Sequence, residues 1–239
     1  MDHAEPRADL AAAFRWTVRC DMHDGIANHF SLAVSEDGRQ FLINPCGIHW
    51  SMLRASDLLL LDADVEPEGL GNRVDRTAWA IHGALHRQVP QARCVMHVHS
   101  RFATALSALA DPTLPPVDQT TMRFFNRVAI DTGYDGMGLG EEAERLARCL
   151  GNHRMMMMGQ HGILAAAPTV GQAFDLIYTF EKGAETYLRA LSTGCPLAIA
   201  SDAVAEKTAQ QWEAEPEAGD RHLAAIRAVL DREGADYAA

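Results

Sequence analysis

DRTAWAIHGALHRQVPQARCVMHVHS, residues 75–100, decides how the chain is read. Its first half sets Trp79, Ile81, His82, Leu85 and His86 at helical spacing and stops before Pro90, which cannot continue a helix. A helix is therefore predicted over Asp75–Gln88, followed by a strand over Ala92–His99. Side chains alternate along a strand, so His97 and His99 fall on one face, roughly 7 Å apart along the backbone. Their imidazoles can converge on one cation.

Upstream, Asp9–His23 has the apolar period of an amphipathic helix that ends near Asp24-Gly25. Two strands, His29–Val34 and Gln40–Asn44, are expected across the turn Glu36-Asp37-Gly38, and a buried strand over Asp57–Leu61. Downstream, strands are expected at Arg127–Ile130 and at Met155–Gly159, which runs into Gln160-His161-Gly162, with a helix at Gly140–Leu150 between them. Helices over Pro168–Leu191, Ser201–Trp212 and Asp220–Arg232 complete the chain. No repeat or linker divides it, so residues 1–239 read as one α/β domain. His161, at a sharp turn after a strand, adds a third imidazole at a sheet end, and three neutral imidazoles suit Zn²⁺, Mn²⁺, Co²⁺ or Fe²⁺ with a position left for water or substrate.

The 239 residues carry 21 Lys+Arg against 32 Asp+Glu, a formal charge of −11 with 11 histidines outside that sum. This balance opposes the attraction on which nucleic-acid binding rests. No apolar run is long enough to span a bilayer, and MDHAEPRADL has no secretory pattern, so a cytoplasmic protein without nucleic-acid or membrane partners is expected. Five cysteines, Cys20, Cys46, Cys94, Cys149 and Cys195, form no CxxC pair and read as mostly buried thiols. There is no Gly-rich phosphate loop and no GxSxG elbow.

Taken in order, Ala27-Asn28-His29-Phe30-Ser31, Asn44-Pro45-Cys46-Gly47, the helix with His82, His97-Val98-His99-Ser100, Gln160-His161-Gly162 and the helix with Glu181 resemble the class II aldolase/adducin family. The resemblance covers about residues 12–190, and its wording is closest to the adducin-like bacterial branch. It implies a single three-layer α/β/α domain around a mostly antiparallel sheet, with the helices of 201–232 added at the C-terminus. It also implies one divalent ion per chain, Zn²⁺ before Mn²⁺, Co²⁺ or Fe²⁺, on His97, His99 and His161. Substrate contacts are expected at Asn28 and Gly47, and a homotetramer with sites at subunit interfaces, where Tyr134 is the candidate proton donor.

One departure is informative. Where sugar-phosphate aldolases of this family carry Ser-Ser-Glu, the serines for phosphate and the glutamate as acid/base, this chain has Arg76, Thr77 and Ala78. Alanine moves no proton, and Asp75 lies most of a helical turn from the glutamate's place. Arg76 with Thr77 suits a carboxylate held in a forked, charge-assisted contact, so a small carboxylated, non-phosphorylated substrate is expected. The expected activity is a divalent-metal-dependent carbon–carbon lyase, aldolase-type or decarboxylase, acting on a hydroxylated oxo or aromatic acid. In both reactions electrons are left on carbon, as an enolate or its equivalent, stabilised by the metal. The alternatives are a non-catalytic adducin-like module, supported by Ala78, and an Fe²⁺ oxygenase on the same three histidines. His29 and His49 are candidate pocket residues, and His82 a core histidine.

Overall fold

Alternation of the strand side chains governs the layering. The computed structural model describes residues 2–69, 71–134, 136 and 141–239. Among them, strands β1 (His29–Ala33), β2 (Gln40–Ile43), β3 (Leu59–Asp62), β4 (Cys94–Val98), β5 (Val128–Asp131), β6 (Met155–Met158) and β7 (Gly162–Ala167) form one sheet in the order β3-β2-β1-β4-β7-β6-β5. Every neighbouring pair is antiparallel except β5 with β6. The helices are α1 (Ala4–Arg19), α2 (Arg76–Gln88), α3 (Arg101–Ser107), α4 (Gln119–Met122), α5 (Glu142–Leu150), α6 (Val170–Leu191), α7 (Asp202–Glu213) and α8 (Ala218–Arg232).

Cys94, Met96 and Val98 of β4, Met155 and Met157 of β6, and Ile163, Ala165 and Ala167 of β7 enter one core with residues of α1, α3, α6 and α8. The intervening Val95, Met156, Met158, Leu164 and Ala166 enter a second core with Ile81 and Leu85 of α2 and Leu146 and Leu150 of α5. With both faces covered, these strands need no polar alternate residues, which is why MMMM and GILAAA are apolar throughout. The three layers and the mostly antiparallel sheet are those expected.

Several boundaries differ from the expectation. α1 is displaced toward the N-terminus, and His23 lies beyond its end. Asp57 is not in β3; it closes a 3₁₀ turn in which its carboxylate accepts from Arg54 N at 2.8 Å. The expected start at Gly140 lies outside the described residues, and α5 runs from Glu142. α6 opens after Thr169, whose Oγ1 accepts from Gln172 N. α3, α4 and β7 were not anticipated: the first two are shorter than a periodic pattern can reveal, and β7 is a run of mostly small residues. The cysteines are also a correction. Only Cys94 is buried; Cys20 and Cys149 are half-buried, and Cys46 and Cys195 are exposed, because one sits in the Pro45–Gly47 turn and the other beyond α6. Among the described residues no helix is long and apolar enough to cross a membrane.

Where α1 meets β1 the larger core is aromatic. Phe14 stacks on Phe30 at 4.6 Å between centroids and meets Trp50 edge-on at 4.6 Å, and all three are fully buried. Phe14→Ala is expected to destabilise the protein by about 3–5 kcal/mol, read as a lower urea midpoint with an unchanged slope.

Candidate metal centre

β4 is central in the sheet, and its register sets the site. Pairing of β1 with β4 puts His29 opposite His97, and pairing of β4 with β7 puts Val98 opposite Ile163. His97 faces the α2 and α5 side with Val95, while His99 lies just past the strand and His161 in the turn between β6 and β7. That turn passes through a left-handed residue, Gln160, with φ 57°. It must then carry glycine: a Cβ on Gly162 would stand 2.5 Å from the Val98 carbonyl oxygen and 3.1 Å from His99 Cδ2.

Three further contacts hold the strand end. Asn28, left-handed at φ 73°, accepts from His99 N through Oδ1 at 3.1 Å. Asn44 Nδ2 donates to the Asn28 carbonyl at 3.2 Å, and its Oδ1 accepts from Phe30 N. Glu181 of α6 accepts from Ser100 Oγ at 2.6 Å, Phe102 N at 2.9 Å and Ala103 N at 2.8 Å.

His97, His99 and His161 each offer a ring nitrogen within 4.8 Å of the others. Their ring centroids are 4.7–4.8 Å apart. His97 Nδ1–H donates to the Ile163 carbonyl at 3.0 Å, and His99 Nδ1–H donates to Asp24 Oδ2 at 3.2 Å. When both rings are neutral those two bonds leave each Nε2 as a lone pair, and the two Nε2 atoms face each other at 3.0 Å. Two such acceptors repel unless a cation stands against both, so the donor set fits a divalent ion. Burial, with the neighbouring histidines adding to it, holds His97 well below the ordinary imidazole range. Burial and His99 push His161 down to about 4, against the opposing charge of Asp131. Ligands that are already neutral near pH 7 need shed no proton to bind metal.

The remaining expected residues are distributed unevenly. Tyr134 belongs to the cluster: its ring meets that of His161 edge-on at 5.9 Å, and it is 46% exposed. Asn28 supports His99, and Gly47 lies in a turn at φ 81° with open space beside it. Arg76 pairs with Glu66 on the surface, and Thr77 Oγ1 donates to Asp75 Oδ1 at 2.7 Å. No contact among the described residues joins Arg76 or Thr77 to the three histidines. Ala78 is buried with Phe41 and Ile43 in an apolar cluster, a place for packing rather than acid/base chemistry. Asp75 caps α2, accepting from Thr77 N at 2.8 Å and Ala78 N at 3.2 Å. Burial works to raise its carboxyl, but the Thr77 hydroxyl, the nearby His29 and the two backbone donors outweigh it and hold the group low. His49 accepts at Nδ1 from Ser51 N in a 3₁₀ turn, away from the cluster's contacts.

Sequence reasoning missed a second group of histidines. His29 Nδ1 lies 2.6 Å from His82 Nε2, His82 Nδ1 bonds Ser31 Oγ, Ser31 Oγ lies 2.7 Å from His86 Nε2, and His86 Nδ1 lies 2.6 Å from the Ala92 carbonyl. The spacing signal was present: His29 and Ser31 share a strand face, and His82 and His86 are four apart on one helix. A separate cavity of about 470 Å³, lined by Arg123, Arg127, Trp212 and Met155, lies at the other end of β6 from His161. Its Arg123 and Arg127 are engaged by Asp175, Glu206 and Glu213, so the chemistry is better supported at the histidines.

Residues 8–188 match the family described as Class II Aldolase and Adducin N-terminal domain. The chain is 30% identical to a putative aldolase class 2 protein of Caulobacter vibrioides over 198 residues, 80% of this chain and 74% of that one. It is 29% identical to the decarboxylase NovR of Streptomyces niveus over 208 residues, 84% of this chain and 73% of that one. The solved structure of an aldolase II superfamily protein from Pseudomonas syringae superposes with a TM-score of 0.89 at 31% identity, covering 99% of this chain and 96% of that one.

Two outcomes are expected from this geometry. Gly162→Ala should displace the His99 turn and weaken Zn²⁺ binding at least about tenfold, measured by competition with a chromogenic chelator. Stability should also fall in acid. Burial, with Arg93 adding and the Ala92 carbonyl opposing, pushes His86 from 6.5 down to about 4. Its contribution is complete above about pH 6.5. It is lost as pH falls toward about 4, because only the unfolded chain takes up the proton in that window, at about 1.4 kcal/mol per pH unit. Urea unfolding between pH 7.5 and 4 checks this, and a flat profile would contradict it.

Proposed function

The chain belongs to the class II aldolase/adducin family, and from that premise we propose that it is a divalent-metal-dependent carbon–carbon lyase acting on a small hydroxylated oxo or aromatic carboxylic acid. The observation that carries this reading is the pair of opposed Nε2 lone pairs of His97 and His99, with His161 beside them. A divalent ion there, Zn²⁺ in this proposal, supplies Lewis-acid stabilisation to the oxygens next to the carbon that receives the electron pair.

The chain's own residues do the rest. Asp24 and the Ile163 carbonyl orient two of the ligand rings. Tyr134, partly exposed with its ring edge-on to His161, is the candidate proton donor to a group held at the histidines. The exposure of that ring suits a homotetramer in which a neighbouring subunit closes the site. Asn28 has a second role in this reading: its Nδ2 is buried without a hydrogen-bond partner and remains available to a substrate oxygen. Gly47 leaves its turn open for a backbone contact. Arg76, paired with Glu66, acts at most as an attracting surface charge for a carboxylate, in place of the forked contact expected from sequence.

The likeness to NovR supports decarboxylation, and the absence of a phosphate-binding serine pair at Arg76 and Thr77 supports a substrate without phosphate. Purified protein is expected to hold close to one divalent ion per chain, and His97→Ala to lose it, measured by elemental analysis. On a panel of hydroxylated keto and aromatic acids, metal-loaded protein should release carbon dioxide or an aldehyde without consuming oxygen. Oxygen uptake would favour an oxygenase, and metal-free tetramers inert on the whole panel would favour an assembly module. Tyr134→Phe should lower kcat by about 10²-fold or more and leave metal content unchanged.

A further inference from the structure

The buried histidines next to the metal ligands admit one arrangement of hydrogens. The Ala92 carbonyl can only accept, so His86 Nδ1 carries the hydrogen. Burial keeps His86 neutral near pH 7, and its Nε2 must therefore accept, taking the single hydrogen of the Ser31 hydroxyl. With that hydrogen committed, Ser31 Oγ can only accept from His82, so His82 Nδ1 is the donor. Burial holds His82 neutral as well, so its Nε2 accepts from His29 Nδ1–H at 2.6 Å. The last ring in the chain is left with a bare Nε2, for which no partner exists among the described residues. The His29 ring lies 5.1 Å from that of His97, its register partner on the neighbouring strand.

We infer that His29 serves the site as a hydrogen-bond acceptor of fixed tautomer, locked by His82, Ser31, His86 and the Ala92 carbonyl, and that it selects ligands that present a hydroxyl hydrogen beside the metal. The chain is not a route for protons to solvent, because its far end is a carbonyl that has none to give or keep. Its effect is discrimination. A free imidazole can turn either nitrogen into a donor; this one cannot, so an ether or a second bare oxygen in that place meets a lone pair and is rejected. His29 touches the ligand, and His82, Ser31 and His86 are positioning residues. The inference deepens the lyase reading and rests on it for where the substrate lies, whereas the tautomers follow from the hydrogen bonds together with the burial that keeps His82 and His86 neutral.

The test separates the two. Long-range ¹⁵N–¹H correlation spectra of the Zn²⁺-loaded wild-type protein should show His29, His82 and His86 all as the Nδ1–H form. An Nε2–H form at any of them would overturn the inference, and a wild-type protein that failed to retain Zn²⁺ would count against the metal site while the spectra still decided the tautomers. The second arm uses glycolate and methoxyacetate as probes, titrated by calorimetry into the Zn²⁺-loaded protein. Ser31→Ala, which frees the tautomers of His82 and His29, should weaken glycolate about tenfold while methoxyacetate binds at least as tightly as to the wild-type protein, with zinc content unchanged. An equal loss for both probes would overturn the selection of a hydroxyl.

Discussion

A single buried carboxylate holds the end of the central strand in place. Glu181, near the middle of α6, takes hydrogen bonds from Ser100 Oγ and from the first backbone donors of α3, Phe102 N and Ala103 N. Those donors have no partner within the helix, and a negative charge at that end also matches the helix dipole. The same contact fixes Ser100, which follows His99 directly. One side chain from the helical layer thus ends β4, begins α3 and sets where the ligand pair stands. α3 has only seven residues, too few to be stable from propensity alone, and owes its existence to this capping and to the burial of Ala103 and Leu106.

The chemistry of the site runs against the charge of the whole. A chain of formal charge −11 gathers bare imidazole lone pairs at one sheet end, without an acidic ligand among the three. Two opposed acceptors at 3.0 Å are a liability in an empty pocket and an asset when a cation joins them. Their orientation is fixed from behind, by a backbone carbonyl for His97 and by Asp24 for His99. Burial keeps His97 and His161 neutral, so a cation held there would supply the positive charge of the site. Family membership makes this arrangement a lyase centre in the proposed reading, while Ala78 and Arg76 show how far the surroundings have moved from a phosphosugar site.

Much of the site was legible locally. The parity of His97 and His99 follows from the two-residue period of a strand, and the turn before Gly162 marks His161. Asn28 and Gly47 were placed in turns, and both adopt the left-handed backbone that such positions favour. Arg76 was misleading because a residue at the start of a helix can point to a pocket or to solvent, and the partner that decided the matter, Glu66, sits ten positions away on a surface loop. Asp75 carried a related ambiguity. Its sequence position suits an acid or base and an N-cap equally, and only the backbone donors of Thr77 and Ala78 show which role it fills.

The residue pattern alone was enough for much of the alternation of strands and helices and for the three imidazoles of the candidate centre. Those features depend on periods and turn chemistry, which act over a few residues. Long-range packing settled which helix face meets which strand face, and through it the union of His29 and Ser31 on β1 with His82 and His86 on α2. Spacing fixes the direction in which each side chain leaves its own backbone. A hydrogen bond also needs the partner that the rest of the chain brings opposite, and in the His29–His82–Ser31–His86 chain that partner determines which nitrogen carries the hydrogen.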